Sequence, residues 1–80
     1  MELVRVNARK HLLCGDYASV HICAIECAYN LGMLVGRDDA NLLKYNIHEY
    51  LIKIGQYISQ VPCPDSAIKI CNLIDYIVSI

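Results

Sequence analysis

Residues Asp16 to Gly36 read DYASVHICAIECAYNLGMLVG. Wound into an α-helix at about 3.6 residues per turn, Tyr17, Val20, Ala24, Cys27, Ala28, Leu31 and Val35 share one face. Ala18, Ile22, Ile25, Tyr29 and Met33 take much of the other, and Ser19, Glu26 and Asn30 leave a narrow polar stripe. A helix apolar nearly all round asks for cover all round. Such a helix belongs at the centre of a helical fold. The expectation is therefore an all-α protein, a compact antiparallel bundle of about four helices with this one buried in the middle.

The neighbouring segments supply the other helices. Val4, Ala8 and Leu12 recur at helical spacing before Gly15, a natural C-terminal cap, which predicts a helix over roughly 2–14. The β-branched alternation of Leu3-Val4-Arg5-Val6-Asn7 also admits a short strand, but a lone strand has no mate here. Asp16 is a good N-cap for a second helix over roughly 17–34. Leu43, Ile47, Leu51, Ile54 and Ile58 form a stripe at spacings of three and four, flanked by Tyr50 and Tyr57. It predicts a third helix over roughly 39–60, begun by an acidic turn that suits the helix dipole. Gly55 inside that stripe suggests close approach by a neighbour. Pro62 and Pro64 make Val61 to Asp65 a rigid turn. Ala67, Ile70, Cys71, Ile74, Ile77 and Val78 then give the apolar face of a fourth helix over roughly 65–79, with Lys69, Asn72, Asp75, Tyr76 and Ser79 facing outward. Short connections favour antiparallel neighbours, and residues 1–80 read as a single helical domain.

The segment Leu12-Leu13-Cys14-Gly15-Asp16-Tyr17-Ala18-Ser19-Val20, with Cys27-Ala28 beyond it, resembles the helix-turn-helix of tetratricopeptide repeats. The resemblance implies a tight helical hairpin and a protein-binding role. The chain departs from that pattern in lacking its Trp, its closing Pro and a second copy.

Composition narrows the function. Of 80 residues, 56% are hydrophobic and 19% charged, a mix that does not suggest disorder. The net charge of -1 offers no basic stripe for phosphates beyond Arg5, Arg9 and Lys10, so nucleic acid is not an expected partner. His21, Glu26 and Asn30 break the longest apolar run, so no membrane span is expected. Five cysteines without an apolar leader segment suggest free thiols in the cytoplasm.

Few residues could carry chemistry. His11, Cys14, Cys23 and Cys27 could be imagined around a zinc ion, but there is no Cys-x-x-Cys knuckle, and core thiols explain the same cysteines. His48 beside Glu49 reads as solvated, and nothing assembles a nucleophile with a base and an orienting group. No catalytic residue, metal ligand or cofactor is expected. The expected function is protein–protein interaction without catalysis, as an adaptor, assembly chaperone or inhibitor, in the style of a bacterial or phage accessory protein. A zinc- or nucleic-acid-binding regulatory domain is the alternative.

Two surfaces are candidates. Tyr45 and Ile52, with Glu49 and Gln56, project opposite the core stripe of the third helix and form the expected partner-binding surface. Ile22, Tyr29 and Met33, on the second face of the central helix, are the expected self-association surface of a homodimer, since two-fold closure is the commonest oligomer form.

Overall fold

A computed structural model describes the backbone of residues 1–35 and 44–79, and the side chains of 1–33 and 47–79. The described chain forms four helices, α1 (Glu2–Leu13), α2 (Tyr17–Val35), α3 (Lys44–Ile58) and α4 (Pro64–Ser79). The strand alternative for residues 3–7 is thereby settled as helix. The expected beginning of the third helix, from 39 through Leu43, lies outside the described residues.

The turn between α1 and α2 is closed by backbone groups. Gly15 adopts φ +75, the left-handed conformation that costs a glycine little. Its N–H donates to the Leu12 carbonyl at 3.1 Å, and the Asp16 N–H donates to that of His11 at 2.9 Å. These two bonds are the Schellman pair that satisfies the last carbonyls of a helix. Asp16 then caps α2: its carboxylate accepts from the Ser19 N–H at 3.2 Å and the Ser19 hydroxyl at 2.6 Å. These bonds hold the Asp16 carboxyl below its ordinary range.

α1 and α2 run antiparallel, bringing Asn30 to within 3.9 Å of the Met1 sulfur. α3 and α4 also run antiparallel, with the Tyr50 and Tyr76 rings edge to face at 5.8 Å. The cross-section is a rhombus. α2 and α4 touch each other along its short diagonal, and each also packs against α1 and α3. Among the described residues α1 and α3 do not meet. The extents of 38 × 22 × 16 Å fit two helices by two at the usual separation of about 8–10 Å.

The core lies along that diagonal. α2 contributes Val20, Cys23, Ala24, Cys27 and Leu31; α4 contributes Ala67, Ile70, Cys71, Ile74 and Ile77. Val4 and Ala8 close it from α1, and Ile47, Tyr50 and Ile54 from α3. Tyr50 is thus part of the core and does not merely flank it. The expectation for Gly55 fails: it is exposed, and a side chain there would meet nothing within 4 Å.

Among the described residues two polar ones are buried, His21 and Ser66. The His21 Nε2 lies 3.0 Å from the Ser66 hydroxyl and ties α2 to α4. A buried polar group without a partner is costly, so each of the pair stabilises the other's burial. In the sequence His21 reads as a break in an apolar run. In the fold it belongs to the interior.

Candidate functional site

Packing α2 through one face leaves the other open. Ile22, Ile25, Tyr29 and Met33 are 55%, 53%, 70% and 55% exposed. At 100° per residue the four fall within an arc of about 80°. The central helix is therefore covered on one side only, a correction to the expectation of a helix buried all round. Single exposed hydrophobics are ordinary on protein surfaces. Four on one stripe over three turns make a patch of the kind that marks an interaction site. Glu26 borders the stripe and is exposed. Leu3, Val6 and Leu13 of α1 are exposed as well.

The second expected surface, on α3, has a different character. Ile52 is 56% exposed, and Glu49 and Gln56 are also on the surface. The Lys53 ammonium lies 3.7 Å from the Glu49 carboxylate. The side chain of Tyr45 lies outside the described residues. The described part of this surface is one apolar group among polar ones, whereas the α2 stripe is apolar throughout.

The cysteines divide into two kinds. Cys23, Cys27 and Cys71 are buried, as expected of core thiols. Burial pushes all three thiols up, that of Cys27 to about 11. Cys14 is exposed and Cys63 only half-buried, so the core-thiol reading is wrong for these two. Cys14 ends α1 at the turn, where the chain leaves the packed face.

Cys63 has a structural task. It stands at the N-cap position of α4, before Pro64 at the first helical position, a place proline suits because its missing donor has no partner to lose. The Cys63 sulfur accepts from the Ser66 N–H at 3.4 Å, and the Ser66 hydroxyl oxygen accepts from the Cys63 N–H at 3.2 Å. This is the reciprocal geometry of a capping box, with sulfur in place of a hydroxyl. The bonds from Ser66 hold the Cys63 thiol below its ordinary range. Ser66 stands between Cys63 and His21, joining the helix cap to the buried histidine. Sequence reasoning missed this junction. Its local half, Cys63-Pro64-Asp65-Ser66, carries a visible capping pattern; its other half comes from His21, 45 positions away.

Among the described residues no three His, Cys, Asp or Glu side chains gather as a metal-holding group, and His11, Cys14, Cys23 and Cys27 do not converge. The two arginines near the N-terminus are engaged: Arg5 pairs with Glu2, and Arg9 pairs with Asp75 and donates a hydrogen bond to the Asn72 side-chain oxygen of α4. One Asp75 oxygen faces Arg9, and the other is buried without a partner. No described helix is long and apolar enough to cross a membrane.

No protein-family model, no curated protein and no solved structure matches this chain.

Proposed function

We propose that this protein is a non-catalytic protein-binding module that works through the outer face of α2, and that the first occupant of that face is a second copy of the chain. The observation that carries the reading is the stripe Ile22, Ile25, Tyr29 and Met33, each more than half exposed. Completely burying a side chain of this class contributes roughly 1.5–3 kcal/mol. Each is already partly covered, so an interface adds roughly half of that per residue. A two-fold axis through the stripe doubles the gain, because each residue is buried once in each copy. Ile52, Glu49 and Gln56 of α3 form the second and more polar contact surface, suited to a foreign protein partner in an adaptor, chaperone or inhibitor role.

Light scattering coupled to size exclusion tests the dimer. The expected result is a mass near twice 9.0 kDa at high micromolar concentration, falling on dilution. Ile22→Glu shifts the protein to monomer at every concentration while its helical circular dichroism stays unchanged. A wild-type chain that stays monomeric at high micromolar concentration overturns self-association.

A further inference from the structure

The outer face of α2 carries a finer pattern than exposure alone. Ala18, Ile22, Ile25, Tyr29 and Gly32 are all exposed and recur at alternating steps of four and three. That alternation is the seam along which one helix packs against another, knobs of each entering holes of the other. Glu26 and Met33 stand on one flank of it. On the basis of the self-association proposed above, we infer that the seam takes α2 of the second copy in antiparallel orientation, with Ile22 of each copy seated over Gly32 of the other.

Gly32 is the residue that selects the orientation. Glycine is among the poorest helix formers, and nothing within the single chain asks for it: a side chain there would meet nothing within 4 Å. Gly55 is equally open but stands on no such seam. Within the seam Gly32 leaves a hollow next to the bulk of Tyr29. A two-fold axis near position 27 with the helices antiparallel pairs Ile22 with Gly32 of the other copy and Ile25 with Tyr29, since both pairs are centred there. Each hollow then receives a branched side chain, and symmetry makes the contact twice. Parallel helices pair each position with itself. Gly32 then faces Gly32, and the hollow doubles beside two facing tyrosines, a poor match to the density of a packed interior.

Charge opposes this pairing and is outweighed. In an antiparallel pair the residues of one flank meet their own copies near the axis, so Glu26 comes close to Glu26 of the second copy. Exposed like charges at this range cost about a factor of two in affinity and are screened by salt. Burying the exposed part of two Ile22 side chains strengthens binding by roughly tenfold or more.

Nitroxide labels on Cys14 test the orientation, in a Cys63→Ser chain that leaves Cys14 as the exposed thiol. Serine is a favoured N-cap, so this variant keeps the start of α4. Cys14 lies 13 positions from the midpoint at 27. At about 1.5 Å of rise per residue the antiparallel dimer holds the two labels about 40 Å apart. A parallel dimer brings them to about half that distance or less. Gly32→Leu places a side chain in space that is open in the single chain, so the fold is kept, but it overfills the hollow and should weaken the dimer at least about tenfold. Glu26→Gln should tighten the dimer about twofold and abolish its strengthening by salt. The short label separation, a Gly32→Leu dimer as tight as the wild type, or a Glu26→Gln dimer no tighter than the wild type would each overturn the antiparallel pairing while leaving the dimer in place. A wild-type chain that stays monomeric at high micromolar concentration overturns the self-association beneath it.

Discussion

α2 and α4 hold equivalent places in the bundle, yet they treat solvent in opposite ways. They are the two helices of the short diagonal, each packed against the other three. Their inner faces are built alike from small and branched residues: Val20, Ala24, Cys27 and Leu31 against Ala67, Ile70, Cys71 and Ile74. Their outer faces differ. α4 turns Asp65, Lys69, Asn72 and Ser79 to water, with Ile68 and Tyr76 among them. α2 turns Ile22, Ile25, Tyr29 and Met33 to water. The fold imposes the same packing on both helices, and α4 meets it with an ordinary amphipathic pattern. The extra apolarity of α2 is therefore not required by the bundle, and this is the observation on which the proposed interface rests.

The sharpest way to break this comparison is to truncate one isoleucine on each kind of face. Ile74→Ala empties a fully buried site between α4 and its neighbours and should cost roughly 2–5 kcal/mol in urea unfolding. Ile22→Ala, at a dilution where the chain is monomeric, should cost less than about 0.5 kcal/mol. Comparable losses would mean that the outer face of α2 is covered within the single chain.

The next effect concerns the polar tie between the two helices. Ser66→Ala removes the partner of His21 and half of the α4 cap in one step. A loss of roughly 1–3 kcal/mol is expected, because buried donors and acceptors are left unpaired. Thermal unfolding measures it, and a loss near zero would mean that water replaces the hydroxyl.

The smallest effect is a matter of pH and exposure. At pH 8 a thiol reagent should modify Cys14 and Cys63 first, Cys23 and Cys71 later and Cys27 last, as burial and the raised Cys27 thiol dictate. The protonated Cys27 thiol is favoured in the folded state. Its contribution is therefore fully present below the ordinary value of 9.0 and is lost as pH rises toward about 11. Stability that stays level through this alkaline window would contradict the assignment.

The parts of the fold set by local spacing were legible in the sequence. Val4 and Ala8; Val20, Ala24, Cys27 and Leu31; Ile47, Tyr50 and Ile54; and Ile70, Ile74 and Ile77 recur at three- and four-residue steps, and all are buried. The Gly15-Asp16 turn follows from backbone conformation and capping, which involve only adjacent residues. The outer stripe of α2 was legible as an excess of apolar residues, but which side would remain open depended on where the other helices packed. Pairings across the fold left no local trace. His21 looks polar in sequence and is 6% exposed in the structure because Ser66, far along the chain, arrives beside it. Gly55 misled for a related reason: a glycine permits close approach but does not bring a neighbour.

The diagonal contact also bears on how the chain acquires its structure during synthesis. The first two helices can pair as soon as they leave the ribosome, since their hairpin is local and closes through Gly15. The inner face of α2, however, is completed by Ile70, Cys71 and Ile74, which lie on the last of the four helices to be made. Until α4 emerges, α2 carries uncovered apolar surface on two sides. The nascent hairpin is then a candidate for chaperone capture, and the arrival of α4 supplies the surface that completes the cover of the inner face of α2.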